Sequence, residues 1–147
     1  MKEYDINKTA MELTELLPVL QKKLIKPFEQ LSKSKTSPMQ FYVLLILEDK
    51  GNLSMTELSK ELLISKQQTT PVVDKLIKNG FVIRKYNEID RRMIKISLTS
   101  LGKKFIEELK IGIFDMLKDK FYDLTDDDLN NLYKAFTEIR RIVNKLP

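Results

Sequence analysis

The hydrophobic period changes at Gly80, and this constrains the chain more than any other feature. From Ser54 to Gly80 apolar residues recur at helical spacing; beyond it, Phe81-Val82-Ile83-Arg84-Lys85-Tyr86 and Met93-Ile94-Lys95-Ile96-Ser97-Leu98 alternate with a period of two about a polar turn, the pattern of a β-hairpin. The helical stretch is itself divided. Ser54-Met55-Thr56-Glu57 is a capping box: a hydroxyl can accept from a backbone N–H three places on, while the glutamate reaches back. It opens a short helix through Leu62, with Leu58 and Leu62 inward. Ser65-Lys66-Gln67-Gln68 repeats the pattern just after Leu63-Ile64 and opens a second helix through Val72, Val73, Leu76 and Ile77 to Gly80. Two short helices joined this tightly predict a helix-turn-helix.

The flanking segments read as longer helices. From Tyr4 to Leu31, residues Ile6, Met11, Leu13, Leu16, Leu17, Leu20, Leu24, Ile25, Phe28 and Leu31 keep helical spacing, with Pro18 and Pro27 predicting a kink or two pieces. Lys33 to Thr36 is a polar connector. Ser37-Pro38-Met39-Gln40 is a third capping pattern, and Phe41, Val43, Leu44, Leu45, Ile46 and Leu47 wrap so far round the next helix that it must be buried, ending at Gly51. Thr99 caps a helix striped by Leu101, Phe105, Leu109, Ile113, Met116, Leu117 and Phe121. Thr125-Asp126-Asp127-Asp128 opens a last helix carrying Leu129, Leu132, Tyr133, Phe136, Ile139, Ile142, Val143 and Leu146. The three aspartates sit at the positive end of that helix, where capping explains them better than metal binding.

The expected fold is therefore mostly α with a small β-hairpin wing, in the order α-α-α-α-β-β-α-α: a winged helix-turn-helix over residues 37–99, flanked by an N-terminal helix in 1–36 and C-terminal helices in 100–147. The terminal stripes run farther than one small domain can cover. They are expected to form a dimerisation region.

Composition narrows the function. With 147 residues, 42% of them hydrophobic, the chain suits one compact domain. No apolar run reaches the ~20 residues of a membrane span and the N-terminus lacks a secretory pattern, so a cytoplasmic protein without membrane contact is expected. Cys and His are absent. That removes thiolate chemistry, imidazole bases and the usual zinc ligands, and no nucleophile and base stand together; an enzyme, a metal site and a cofactor are not expected. The net charge of +5 is unevenly placed, with ten basic residues against three acidic ones between Ser65 and Lys104 and a slightly acidic remainder. Such a segment attracts polyanions, although charge alone also fits a solvated lysine-rich face.

Residue types favour the first reading. Ser65, Lys66, Gln67, Gln68, Thr69 and Thr70 stand at the exposed start of the second helix, with Lys75 farther along. Glutamine can contact adenine through two hydrogen bonds, threonine can offer a methyl to thymine, and serine or lysine can hold phosphate. Ser65 and Gln68 are equally explained as caps. Pro71 removes the usual partner of the Gln67 carbonyl, which predicts a wider first turn. In the hairpin turn Asn87-Glu88-Ile89-Asp90-Arg91-Arg92, Asp90 can orient the Arg92 guanidinium for a narrow minor groove; the alternative is a solvent-exposed ion pair of no special purpose.

The run from Ser37 to Gly102 resembles the MarR family of bacterial regulators. The resemblance is carried by Leu58-Ser59-Lys60 to Ile64-Ser65, by Leu76-Ile77-Lys78-Asn79-Gly80-Phe81-Val82, and above all by Asp90-Arg91-Arg92 with Ile96-Ser97-Leu98-Thr99 and Gly102. It implies a triangular homodimer on palindromic double-stranded DNA, more often a repressor, and frequently released by a small ligand; here that ligand would be hydrophobic or anionic. It also implies that Arg92 is the wing arginine and Asp90 its partner, with Ile89 where the family often has a basic residue. The step Thr70-Pro71 is similar to that of the hydroperoxide-sensing branch, but that branch senses through a cysteine this chain lacks. Two other readings use the same fold or residues: a winged helix serving as a protein-interaction module without DNA, and a lipophilic-ligand carrier built on the Met, Phe and Tyr side chains of the terminal helices.

Overall fold

Three serines begin three helices in the same way. Ser37 Oγ accepts from the Gln40 N–H at 3.3 Å while Gln40 Oε1 accepts from the Ser37 N–H at 2.8 Å. Ser54 and Glu57 repeat the exchange at 3.1 and 2.6 Å, and Ser65 and Gln68 at 3.1 and 3.0 Å. Each box satisfies two N–H groups that a helix start would otherwise leave open, and a cap of this kind is worth ~1 kcal/mol.

The computed structural model describes residues 1–27, 30 and 36–147. Its helices are α1 (Lys2–Leu20), α2 (Pro38–Lys50), α3 (Met55–Leu62), α4 (Lys66–Lys78), α5 (Ser100–Phe121) and α6 (Asp126–Val143); its strands are β1 (Leu53–Ser54), β2 (Val82–Tyr86) and β3 (Ile94–Leu98). Two units are distinguished, Met1–Ile113 and Phe114–Pro147. No described helix is long and apolar enough to cross a membrane.

In the first unit, the interruption expected from the prolines takes the form of a wide turn. Residues Gln21–Ile25 are π-helical, and the Lys26 N–H reaches back five residues to the Gln21 carbonyl. Pro18 lies inside α1, and a widened turn ahead of Pro27 is one way to keep its ring off the preceding carbonyls. The expected helical positions Phe28 and Leu31, and residues 33–35 of the connector, lie outside the described residues. Pro71, by contrast, produces no wide turn: α4 is α-helical from Lys66 to Lys78.

The core of this unit draws on every element from α2 to α5. Val43, Leu44, Leu58, Val73, Leu76, Val82 and Ile106 are fully enclosed, joined by Phe41, Leu47, Phe81, Ile96, Phe105 and Leu109. Burying one such side chain stabilises by roughly 1.5–3 kcal/mol. The Phe81 and Phe105 rings stack with centroids 4.4 Å apart. Glu48 on α2 accepts from Lys110 on α5 at 2.6 Å, and Lys50 reaches Glu61 on α3 at 2.8 Å.

The three strands form one antiparallel sheet in the order β1-β3-β2. The hairpin expected from the alternation is β2 with β3, from Val82 opposite Leu98 to Tyr86 opposite Ile94. Strand β1, which adds Leu53 opposite Ile96, goes beyond the expected order.

One node joins α4, the hairpin and α5. Helix α4 ends with Gly80 at φ 77°, a left-handed conformation that glycine adopts freely, and the Phe81 N–H returns to the Leu76 carbonyl. The Thr99 hydroxyl donates to the Gly80 carbonyl at 2.6 Å and accepts from the Gly102 N–H at 3.0 Å, while the Thr99 N–H donates to the Phe81 carbonyl at 3.0 Å. Gly102 permits this approach: a Cβ there would lie 2.1 Å from the Phe81 oxygen.

The second unit contains α6, which Thr125 caps by accepting from the Asp128 N–H at 3.2 Å. Glu138 and Arg141 pair along it. No residue of α6 is buried, and the same is true of α1.

Candidate nucleic-acid interface

Helix α4 separates its polar start into two faces. Lys66, Gln67, Gln68 and Lys75 are exposed and Thr70 is partly so. Thr69 is fully buried, and its hydroxyl donates to the Ser65 carbonyl at 2.9 Å. It is one turn before the buried Val73, on the same helix face, so the expectation that Thr69 reads bases is corrected: it is a core residue. The Thr70 hydroxyl donates to the Lys66 carbonyl at 2.9 Å and leaves its methyl for outward contact. Ser65 and Gln68 form the capping box, with a further bond from the Ser65 hydroxyl to Gln68 Oε1 at 3.2 Å. The cap occupies the Gln68 carbonyl oxygen and leaves its amide N–H groups.

Between α4, the start of α3 and the hairpin lies a groove of about 500 Å³, lined by Lys66, Thr70, Arg84, Arg92 and Lys95 among others. Four cations thus converge on one depression. Arg84 is fixed by a 2.6 Å ion pair to Asp74, tying β2 to α4. Lys95 stands 4.0 Å from Glu57, whose carboxylate is held below the usual 4.5 chiefly by the hydrogen bond from the Ser54 backbone.

The wing turn departs from expectation at Asp90. Its carboxylate accepts from the Arg92 backbone N–H at 3.0 Å and makes no ion pair with the Arg92 guanidinium among the described residues. With one residue between them, the short aspartate side chain reaches the backbone first, as it does in many turns. Asn87 does similar work, its Oδ1 accepting from the Ile89 and Asp90 N–H groups at 2.8 and 3.3 Å. Arg91 and Arg92 are left exposed, Arg92 toward the groove.

Sequence reasoning missed Arg84, Lys95, Asn87 and Asp74. Arg84 and Lys95 were legible as alternating strand positions in a basic segment, and Asn87 as a turn residue at a strand end. The Asp74–Arg84 pair spans ten residues and carries no local signal.

A helix-turn-helix whose second helix presents a polar, basic start beside a cationic hairpin defines the winged-helix class of DNA-binding protein. The sequence profile of the MarR family matches residues 36–94. That stretch carries the MarR-family domain, and along most of its length the chain is similar to transcriptional regulators and MarR family proteins. It is 27% identical over 129 residues to the HTH-type transcriptional repressor MdtR of Bacillus subtilis, covering 88% of this chain and 83% of that one. Among solved structures, a MarR family protein from Bacillus stearothermophilus superposes with a TM-score of 0.78 at 24% identity, over 95% of this chain and 98% of the other. Bordetella bronchiseptica BpsR, whose DNA binding is regulated by 6-hydroxynicotinic acid, gives 0.67 at 22% identity, over 91% and 94%.

Proposed function

We propose that the chain acts as a homodimeric, non-enzymatic repressor that binds a palindromic operator in the cytoplasm and is released by a small ligand. The observation that carries the DNA reading is the convergence of Lys66, Arg84, Arg92 and Lys95 on the groove beside the exposed start of α4. On this reading residues 37–99 form the DNA-binding domain. Gln67, Gln68 and Thr70 read base edges in the major groove. Ser65, Lys66 and Lys75 hold phosphates, and Arg91 and Arg92 enter the adjacent minor groove on a turn shaped by Asp90.

Dimerisation is supported by the uncovered apolar side chains of segments 1–36 and 100–147: Ile6, Met11, Leu13 and Leu17 on α1, and Tyr133, Ile139, Ile142 and Val143 on α6, are each half exposed or more or nearly so. Two recognition helices in such a dimer meet half-sites about 10 bp apart. Ligand release is supported by BpsR, and the repressor assignment by MdtR. The test is duplex binding after selection from genomic DNA, measured against salt. Arg92→Ala should weaken all duplexes and flatten the salt dependence, whereas Gln67→Ala should weaken the selected duplex alone. Salt-insensitive binding, or none, would leave the fold as a protein-interaction module.

A further inference from the structure

The wing carries an apolar side chain that its own fold does not use. Ile89 is 98% exposed at the tip, so it packs on nothing. The polar groups around it hold the loop: Asn87 takes the Ile89 and Asp90 N–H groups, Asp90 takes the Arg92 N–H, and the Met93 N–H donates to the Asp90 carbonyl at 3.0 Å. A single exposed aliphatic residue needs no explanation on most surfaces. This one is held by its own backbone N–H at the end of a braced turn, two residues ahead of a pair of exposed arginines.

We propose that Ile89 is a specificity-determining residue, selecting A·T over G·C pairs where the wing meets the minor groove. The inference rests on the reading above that the wing reaches that groove. The minor-groove edge of an A·T pair offers acceptors and the adenine C2–H, whereas a G·C pair raises the guanine N2 amino group. An isoleucine methyl against C2–H strands no polar group. Against guanine it covers an N–H donor and supplies no acceptor, which is costly once water is excluded. The arginines favour the same groove by a different route, through its potential. Arg91 and Arg92 respond to groove width and charge; Ile89 responds to the amino group itself.

The experiment uses the full chain and a duplex recovered from genomic selection, with hydroxyl-radical footprinting to locate the pairs under the wing. Replacing adenine there by 2,6-diaminopurine adds the N2 amino group and leaves the major-groove pattern unchanged. The wild type should lose about tenfold in affinity, and Ile89→Ser should bind both duplexes within about twofold of each other while melting like the wild type. Inosine in place of guanine at a G·C-substituted position should restore wild-type binding. Equal discrimination by Ile89→Ser and the wild type, or a wild type indifferent to diaminopurine, overturns the proposal. A wild type that binds no duplex, or leaves no minor-groove footprint, overturns the DNA reading beneath it and is thereby distinguishable.

Discussion

The region from α2 to β3 and the terminal helices α1 and α6 treat apolar side chains in opposite ways. In the first, Leu44, Leu58, Val73, Leu76 and Ile96 are sealed within one cluster, and salt bridges and caps are arranged round it. In α1 and α6 no residue is buried, although both carry apolar side chains at helical spacing. The sequence thus encodes two tasks at different levels. The winged helix is specified by contacts within one chain, whereas the terminal helices have surfaces that one chain leaves uncovered.

Substitutions should affect the two regions differently. Gly102→Val drives a side chain into the Phe81 carbonyl and should cost at least about 4 kcal/mol in urea denaturation, since the obstacle is backbone; an unchanged midpoint would show that the α5 start is free to move. Leu58→Ala should cost about 3 kcal/mol at every protein concentration, through lost burial and a cavity. Ile139→Asp on α6 should instead change the melting of dilute protein by less than about 0.5 kcal/mol and shift sedimentation toward monomer. If the two variants behaved alike, the distinction between the regions would fail.

A smaller effect is expected in the turn between α3 and α4. Leu63, in the helix-turn-helix turn, holds the left-handed conformation at φ 55° and is 92% exposed. Leu63→Gly should relieve that strain, raising stability by about 1 kcal/mol without loss of a packed contact; a lower melting temperature would mean that the leucine is used. The smallest effect is that of pH. The Glu57 pKa is lowered by the Ser54 hydrogen bonds, so its contribution is complete above the ordinary 4.5 and is lost as pH falls through the lowered value. The Lys50 pKa is raised, chiefly by the hydrogen bond to Glu61, so that contribution is complete below 10.5 and is lost as pH rises through the raised value. With no His or Cys, a pH-resolved melt should be nearly flat from about pH 6 to 9. A sharp transition there would point to another titrating group.

Much of the fold was legible because it is built from local signals. The three serine boxes, the Gly80 stop and the period change all act within four residues, and each forms as the sequence predicts. Strand β1 was not legible, since two residues cannot display a period. Thr69 misled because its hydroxyl suits either a groove or a helix interior, and only its phase with Val73 separates them. Asp90 misled for a related reason: a carboxylate two residues from an arginine has both a guanidinium and a backbone N–H within reach, and type and spacing are the same for each.

The Thr99 node also has a mechanical meaning. Gly80, Phe81 and Gly102 are joined there within hydrogen-bond distance, so the far end of α4 and the near end of α5 share one fulcrum. Helix α4 is 13 residues long, a lever of about 20 Å. Over such a length a turn of about 10° corresponds to about 3.5 Å, close to the rise of one base pair. On the proposed reading of Gln67 as a base contact, this node is where a tilt of α5 would be passed to the DNA-reading end of α4.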